Sequence, residues 1–325
     1  MKKFIKNLAI FSLPFILVLL VFFAFEPYDY FCVRGDATYL SKPLSAMRKI
    51  IIQKPDKIIL GDSRMANLNT DYIEQISAKR YEMVGFGGST LGEQLELFWF
   101  CTEHTELKKV VFGVSFYMCR GDQTAGRIPV VERQATSTYS FLTSFGNWLE
   151  AGNAIKYKTK NLAAAAFGRP EWLEYPEDPN ALVVDANPTS ERGEKYRQDL
   201  EDYAILIYGG VQGYSIAPET YKQISKVIDY CEEHHIELQF VIPPMHESIF
   251  EMATEPCGVE PYRVQLLNFL KSRATVYDME YLNDFTRDEN NFRDGFHLFT
   301  EPKKIVMRAV FAGEDSDVIT RYVKD

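Results

Sequence analysis

Ser63 closes the stretch Lys57-Ile58-Ile59-Leu60-Gly61-Asp62-Ser63, and Asp294 stands three residues before His297 near the far end of the chain. A serine hydroxyl is a weak nucleophile until a base takes its proton. Imidazole does this near neutral pH, and a carboxylate beside it orients the ring and stabilises its charged form. The chain therefore carries the three parts of a serine acyl-transfer site. Each half alone has an ordinary reading, since Gly, Asp and Ser all favour turns and an Asp-His loop is common. Their order along the chain joins them. The serine follows the first strand-like run, and the Asp-His segment lies between the last such run and the last helical pattern.

Five apolar runs have the length and β-branching of buried parallel strands: Lys57–Gly61, Arg80–Gly85, Lys109–Ser115, Glu237–Ile242 and Thr275–Asp278. Helical patterns lie between and after them, at Thr70–Ile76, Leu91–Glu103, Pro218–His235, Pro261–Arg273 and Glu301–Phe311, with Thr300 as the expected N-cap of the last. Alternating strands and helices imply a parallel sheet covered on both faces. A serine just beyond such a strand sits at the carboxyl edge of the sheet, where open α/β folds bind ligands. A helix starting there aims free N–H groups at developing negative charge. Residues 120 to 215 break the rhythm and read as an insertion on the loop side of the sheet, with weak helical periodicity around 138–166.

This arrangement resembles the SGNH, or GDSL-like, serine esterase and acyltransferase superfamily over roughly residues 56 to 312, the insertion being unmatched. Gly61-Asp62-Ser63 stands for its first block and Asp294-Gly295-Phe296-His297 for its last. The resemblance implies an α/β fold of three layers, α/β/α, with a five-stranded mostly parallel sheet of SGNH or flavodoxin-like type. It implies Ser63 as nucleophile, His297 as general base and Asp294 as the orienting carboxylate. Phe86-Gly87-Gly88-Ser89-Thr90 fits the second block. Gly88, or next Gly87, would there lend an N–H to an oxyanion hole together with Ser63.

Two positions depart from the family. Its Gly-x-Asn-Asp block aligns with Gly113-Val114-Ser115-Phe116, so the oxyanion-donating Asn is missing and Ser115 is the substitute candidate. Losing one such donor costs about 10²–10³ in rate. Arg64 stands where esterases of the family usually have Leu. Both departures are similar to the membrane-anchored branch, which includes D-alanine-transfer and polysaccharide O-acetylation proteins. That branch implies a membrane-bound O-acyltransferase as partner. Asp62, Arg64 and His246 are the expected substrate contacts, although His246 reads more readily as an ordinary loop histidine. His246, Asp294 and His297 lack metal-ligand spacing, so no metal or other cofactor is expected.

The N-terminus reads apart from this domain. Leu8 to Phe25 is an apolar run of 18 residues interrupted only by Ser12 and Pro14. Lys2, Lys3 and Lys6 precede it, and Glu26 and Asp29 follow. About 20 residues span a bilayer as helix, and a basic flank stays inside. The run is long for a signal-peptide core and no small-x-small site follows, so an uncleaved anchor is expected, with a cleaved signal peptide as the alternative. The expected organisation is 1–26 as signal anchor, 27–55 as tether and 56–325 as an SGNH-like domain with the insertion at about 120–215. The protein would be a single-pass membrane protein with its N-terminus cytoplasmic and its domain extracytoplasmic. A net charge of −9 without a basic stripe argues against nucleic-acid binding. Five scattered cysteines with no CxxC pair argue against a zinc ribbon.

The functional expectation is an anchored serine O-acyltransferase or esterase acting on acyl esters, acetyl or D-alanyl, of a cell-envelope glycopolymer. The alternative is a non-catalytic SGNH-like module that binds polymer or docks a membrane-bound acyltransferase.

Overall fold

The computed structural model describes residues 1–34, 43–120, 126–169, 211–254 and 257–324, with isolated positions between 198 and 209. Parts of the expected tether (35–42) and most of the later half of the expected insertion (170–210) lie outside the described residues. The chain divides into two compact units, Met1–Ile52 with Val130–Asp178, and Gln53–Pro129 with Pro179–Asp325.

The second unit is the α/β domain. Its strands are β1 (Lys57–Leu60), β2 (Glu82–Met83), β3 (Lys109–Gly113), β4 (Glu237–Ile242), β5 (Thr275–Asp278) and β6 (Thr320–Tyr322), in the order β2-β1-β3-β4-β5-β6. The first five run parallel, as expected, and β6 is antiparallel to β5. The sheet among the described residues is therefore six-stranded rather than five-stranded. The sixth strand is short and carries Arg321 at its centre, a pattern suited to a sheet edge and poor in apolar signal. The expected second strand shrinks to two residues on the opposite edge, although Val84, Gly85 and Phe86 continue to bond back to Ile59 and Gly61.

Helices cover both faces. In the first unit lie α1 (Lys2–Phe25) and α2 (Pro43–Gln53). The domain then carries α3 (Ser63–Ala66), α4 (Thr70–Ser77) and α5 (Leu91–His104). α6 (Ile128–Thr136) follows, and α7 (Thr138–Thr143) and α8 (Phe145–Phe167) belong to the first unit. Next come α9 (Pro218–Glu233), α10 (Glu247–Thr254), α11 (Glu260–Lys271), α12 (Asp284–Arg287) and α13 (Thr300–Met307). Ile59, Val111, Val241 and Tyr277 point to one face, where Ile73 of α4 and Val306, Met307, Val310 and Phe311 in and after α13 cover them. Phe112 stacks on Phe240 on the other face, which α5, α9 and α11 cover. α13 begins at Thr300 itself, with Phe299 in the cap position expected for Thr300.

In the first unit α1 is 24 residues, about 36 Å at 1.5 Å per residue, and is long and apolar enough to cross a membrane. Its end is folded. The Glu26 carboxylate accepts the amides of Tyr28 and Tyr30 and pairs with Arg34, and the Tyr30 ring stacks on Phe141 of α7 at 4.0 Å. Arg48 of α2 donates to the carbonyls of Tyr30 and Ala135.

Glycine sets how closely β1 and the segment after β2 approach. Gly61 has φ +139°, and a Cβ at Gly85 would lie 2.6 Å from the Gly61 carbonyl oxygen. Backbone lies on both sides of that contact, so no flexible side chain can yield. Gly85→Ala is expected to destabilise the protein at or beyond the upper end of the roughly 1–3 kcal/mol typical of overpacking. Gly152→Ala, in α8 with nothing within 4 Å of its added Cβ, is expected to be neutral or mildly stabilising. Urea unfolding of the full-length protein in detergent compares the two.

Candidate active site

β1 carries Ser63 because Ile58, Ile59 and Leu60 are fully buried and deliver the chain to the carboxyl edge of the sheet. β1 has β2 on one side and β3 on the other, so Ser63 sits at the point where strand order reverses. Asp62 is the N-cap of α3, its carboxylate accepting the Arg64 amide at 3.0 Å. Ser63 thereby becomes the first residue of a helix, whose leading N–H groups have no partner within the helix.

The Asp294-His297 loop is a tight turn. Phe292 and Leu298 bridge antiparallel, the Arg293 amide donates to the His297 carbonyl, and Gly295 takes φ +80° at its tip. Asp294 Oδ1 accepts the amides of Phe296 and His297 at 3.1 and 2.8 Å. The His297 ring returns to the same carboxylate, with Nδ1 2.8 Å from Oδ2 and 3.0 Å from Oδ1. With Nδ1–H donated there, Nε2 presents its lone pair to Ser63 Oγ at 2.7 Å. Burial alone would raise the Asp294 carboxyl, but the ring and amide hydrogen bonds from His297, with the charge of the ring, bring it down to about 2. The carboxylate thus stays ionised beside the imidazole, as a base-orienting group requires.

Of the two candidate glycines, Gly87 is the one whose Cα–Cβ direction points at Ser63. A Cβ on Gly87 would lie 3.6 Å from Ser63 Cβ, whereas one on Gly88 would meet nothing within 4 Å. Gly88 has φ +64° and gives its carbonyl to Arg127 Nη2 at 2.9 Å.

The side chains of Asp62 and Arg64 are turned to each other beneath the site instead of towards a substrate. Arg64 is almost wholly buried. It donates to Asp62 Oδ2 at 2.8 Å, to Ser115 Oγ at 2.7 Å and to the Pro243 carbonyl at 3.4 Å. Its guanidinium also lies 4.0 Å from Glu280 and 5.3 Å from the centre of the Phe296 ring. Burial works against ionised Asp62, but the charge and hydrogen bonds of Arg64 outweigh it and hold the carboxyl below its ordinary range. Ser115 is fully buried and accepts from Arg64, which leaves its own hydroxyl proton to donate elsewhere. His246 is also buried. Its ring Nδ1 meets Ser248 Oγ at 2.8 Å, and its amide donates to the Gly295 carbonyl, so it braces the Asp-His turn.

Several positioning residues escaped the sequence reading. Glu93 closes a capping box with Thr90 at the start of α5 and takes two hydrogen bonds from the Arg127 side chain, which fixes the glycine loop. The Thr90-x-x-Glu93 spacing was the available signal. Gln94 accepts the Gly61 amide at 2.9 Å. Glu280 follows β5 and is buried with Oε1 making no hydrogen bond.

A void of about 20 Å³ lies under His297 between Met65, Leu68, Pro243 and Val306, room for about one water. An open cavity of about 670 Å³ lies at the amino edge of the strands, among Asp56, Arg80, His104 and Lys108, away from Ser63.

No family model matches the chain, and no curated protein matches it. Among solved structures, the chain is similar to a Bacteroides fragilis NCTC 9343 protein whose acylhydrolase assignment is itself provisional. The two are 11% identical with a TM-score of 0.38, over 80% of this chain and 88% of that one. Likeness at that level carries no functional weight.

Glu280 sets a pH dependence. Burial pushes its carboxyl from 4.5 up to about 8 despite the attraction of Arg64 and Arg263. Between those values the unfolded chain loses the proton while the folded chain keeps it, so this group's contribution to stability falls as pH rises from about 4.5 to about 8. Glu280→Gln cannot ionise and lacks that loss. The variant is expected to gain stability relative to the unsubstituted protein across this interval, read from urea midpoints. Parallel midpoint curves would contradict it.

Proposed function

We propose that this chain is a membrane-anchored, extracytoplasmic serine enzyme that transfers or hydrolyses acyl esters, acetyl or D-alanyl, of cell-envelope glycopolymers. The hydrogen-bonded line from Ser63 through His297 to Asp294 is the observation that carries this reading. The resemblance to the anchored SGNH branch supports the choice of substrate, and the apolar helix α1 supports the anchor.

In this mechanism His297 Nε2 takes the Ser63 proton as Oγ attacks the acyl carbonyl carbon. The carbonyl oxygen becomes an oxyanion facing the Ser63 amide and the Gly87–Gly88 loop. The C–O bond to the donor breaks, the departing oxygen takes the proton from His297, and the acyl group remains on Ser63. An acceptor hydroxyl or water then gives its proton to His297, attacks the acyl-serine and restores the free serine. Arg64 keeps Ser115 at the edge of the site, where its hydroxyl takes the place of the family's Asn as a donor. A membrane-bound O-acyltransferase would supply or receive the acyl group.

The buried commitment of Ser115 to Arg64 favours one second reading, a non-catalytic module of the same fold that binds polymer or docks the acyltransferase. A fluorophosphonate probe on the full-length protein separates the two. The enzyme is expected to label at Ser63, and an activated acetyl ester is expected to leave an acetyl group on the Ser63 peptide. Ser63→Ala is expected to abolish both. His297→Ala is expected to slow acylation about a thousandfold or more. Labelling that survives Ser63→Ala, or no labelling of the unsubstituted protein, would sink the catalytic reading.

A further inference from the structure

Among the described residues, the first unit leaves an apolar edge uncovered beside α1. The Trp148 ring lies 4.2 Å from that of Phe22 and lines an open groove of about 450 Å³ with Pro14, Phe15, Val18 and Leu19. Further along α8, Lys158 Nζ lies 5.4 Å from the centre of the Phe25 ring. α8 therefore runs in the direction of α1 and starts below its end. Trp148 is level with residues 15–22, roughly 5–15 Å short of Phe25 at 1.5 Å per residue. Around it Tyr139, Phe145 and Leu149 are 77%, 79% and 55% exposed.

We propose that the turn between α7 and α8, with the first turns of α8, is embedded in the bilayer leaflet at the Phe25 end of α1. Tyr139, Phe145 and Leu149 face lipid there. The proposal rests on the reading that α1 crosses a bilayer, and goes beyond it by making the anchor a multi-helix element. If α1 spans, a segment packed against its residues 15–22 shares their depth, and lipid is what surrounds that depth. Exposed Phe11, Phe15 and Ile16 on α1 continue the same apolar surface.

The chemistry of the segment fits the headgroup–acyl boundary. Trp148 Nε1 donates to the Leu142 carbonyl at 2.6 Å, so the indole enters with its polar atom satisfied. Lys156, Lys158 and Lys160 follow at and beyond the level of Phe25, where lipid phosphates lie and long basic side chains extend to them. Glu150 lies about 100° round the helix from Leu149 and is half-buried.

Depth-resolved quenching tests this in the full-length chain reconstituted into phosphatidylcholine vesicles with brominated acyl chains. Trp99, Trp148 and Trp172 are replaced by Phe, and one reporter is introduced by Phe145→Trp, Leu149→Trp or, in α1, Phe11→Trp. A further protein retains Trp148 alone, which covers the case where a change at 145 or 149 disturbs the turn. The expected result is that all reporters lose most of their emission to bromolipid and little to aqueous acrylamide. Leu149→Trp should respond to bromine nearer the headgroup than Phe145→Trp, which lies about 6 Å deeper at 1.5 Å per residue. If the Phe11→Trp reporter is quenched by lipid while those at 145, 148 and 149 respond only to acrylamide, α1 spans and the embedded turn is wrong. If the Phe11→Trp reporter also escapes lipid quenching, the anchor reading fails and takes the proposal with it.

Discussion

One guanidinium holds the carboxyl edge of the sheet together. Arg64 reaches Asp62 beyond β1, Ser115 beyond β3, the Pro243 carbonyl beyond β4, Glu280 beyond β5 and the Phe296 ring in the Asp-His turn. A buried ion pair is weak evidence for net stability, because desolvation offsets most of its attraction, but losing one partner leaves a charge stranded in the interior. Its effect here is geometric. α3 is a single turn of four residues, too short to be stable by itself, and Ser63 opens it. Both neighbours of Ser63 belong to the Asp62–Arg64 pair, so the nucleophile candidate is held from either side.

The same cluster decides how much charge lies under the serine. Asp62 is held ionised by Arg64, and these two charges cancel. Burial keeps Glu280 protonated up to about 8, so it adds no net charge near neutral pH. In the proposed mechanism, an oxyanion at Ser63 would therefore not face an unpaired buried ion. The Asp294 carboxylate stands on the far side of His297, where it orients the ring and offsets the charge it acquires.

Parallel strands buried on both faces print a plain record in sequence, which is why β1, β3, β4 and β5 were legible from Ile, Val, Leu and Phe runs. β6 was not, because three residues on an edge need no apolar run. Gly61-Asp62-Ser63 and Asp294-Gly295-Phe296-His297 were each legible as local motifs. Their meeting, 2.7 Å apart across 234 positions, followed from the order of strands and from family resemblance, and no local pattern contains it. Glu280, Gln94 and Arg127 were opaque for that reason: each acts on a backbone or side chain that only tertiary packing brings near. Arg64 was expected as a substrate contact beside Ser63. The turn into α3 instead folds it back over Asp62.

The two positions that differ from the SGNH pattern the sequence resembles, Arg64 and Ser115, are in contact. Arg64 in place of Leu and Ser115 in place of Asn read in sequence as separate losses, one of an apolar residue and one of an oxyanion donor. In the fold Arg64 Nη2 donates to Ser115 Oγ at 2.7 Å. Residues in one hydrogen-bond network are coupled, so neither can be judged by its effect alone. A serine at 115 leaves space for the guanidinium, and the guanidinium satisfies the buried hydroxyl oxygen that the serine brings with it. Leu at 64 would leave that oxygen without its donor, and a larger Asn at 115 would compete for the volume Arg64 occupies. The exchange is therefore one feature spread over two positions. The Arg64–Ser115 hydrogen bond ties the end of β3 to the residue next to Ser63.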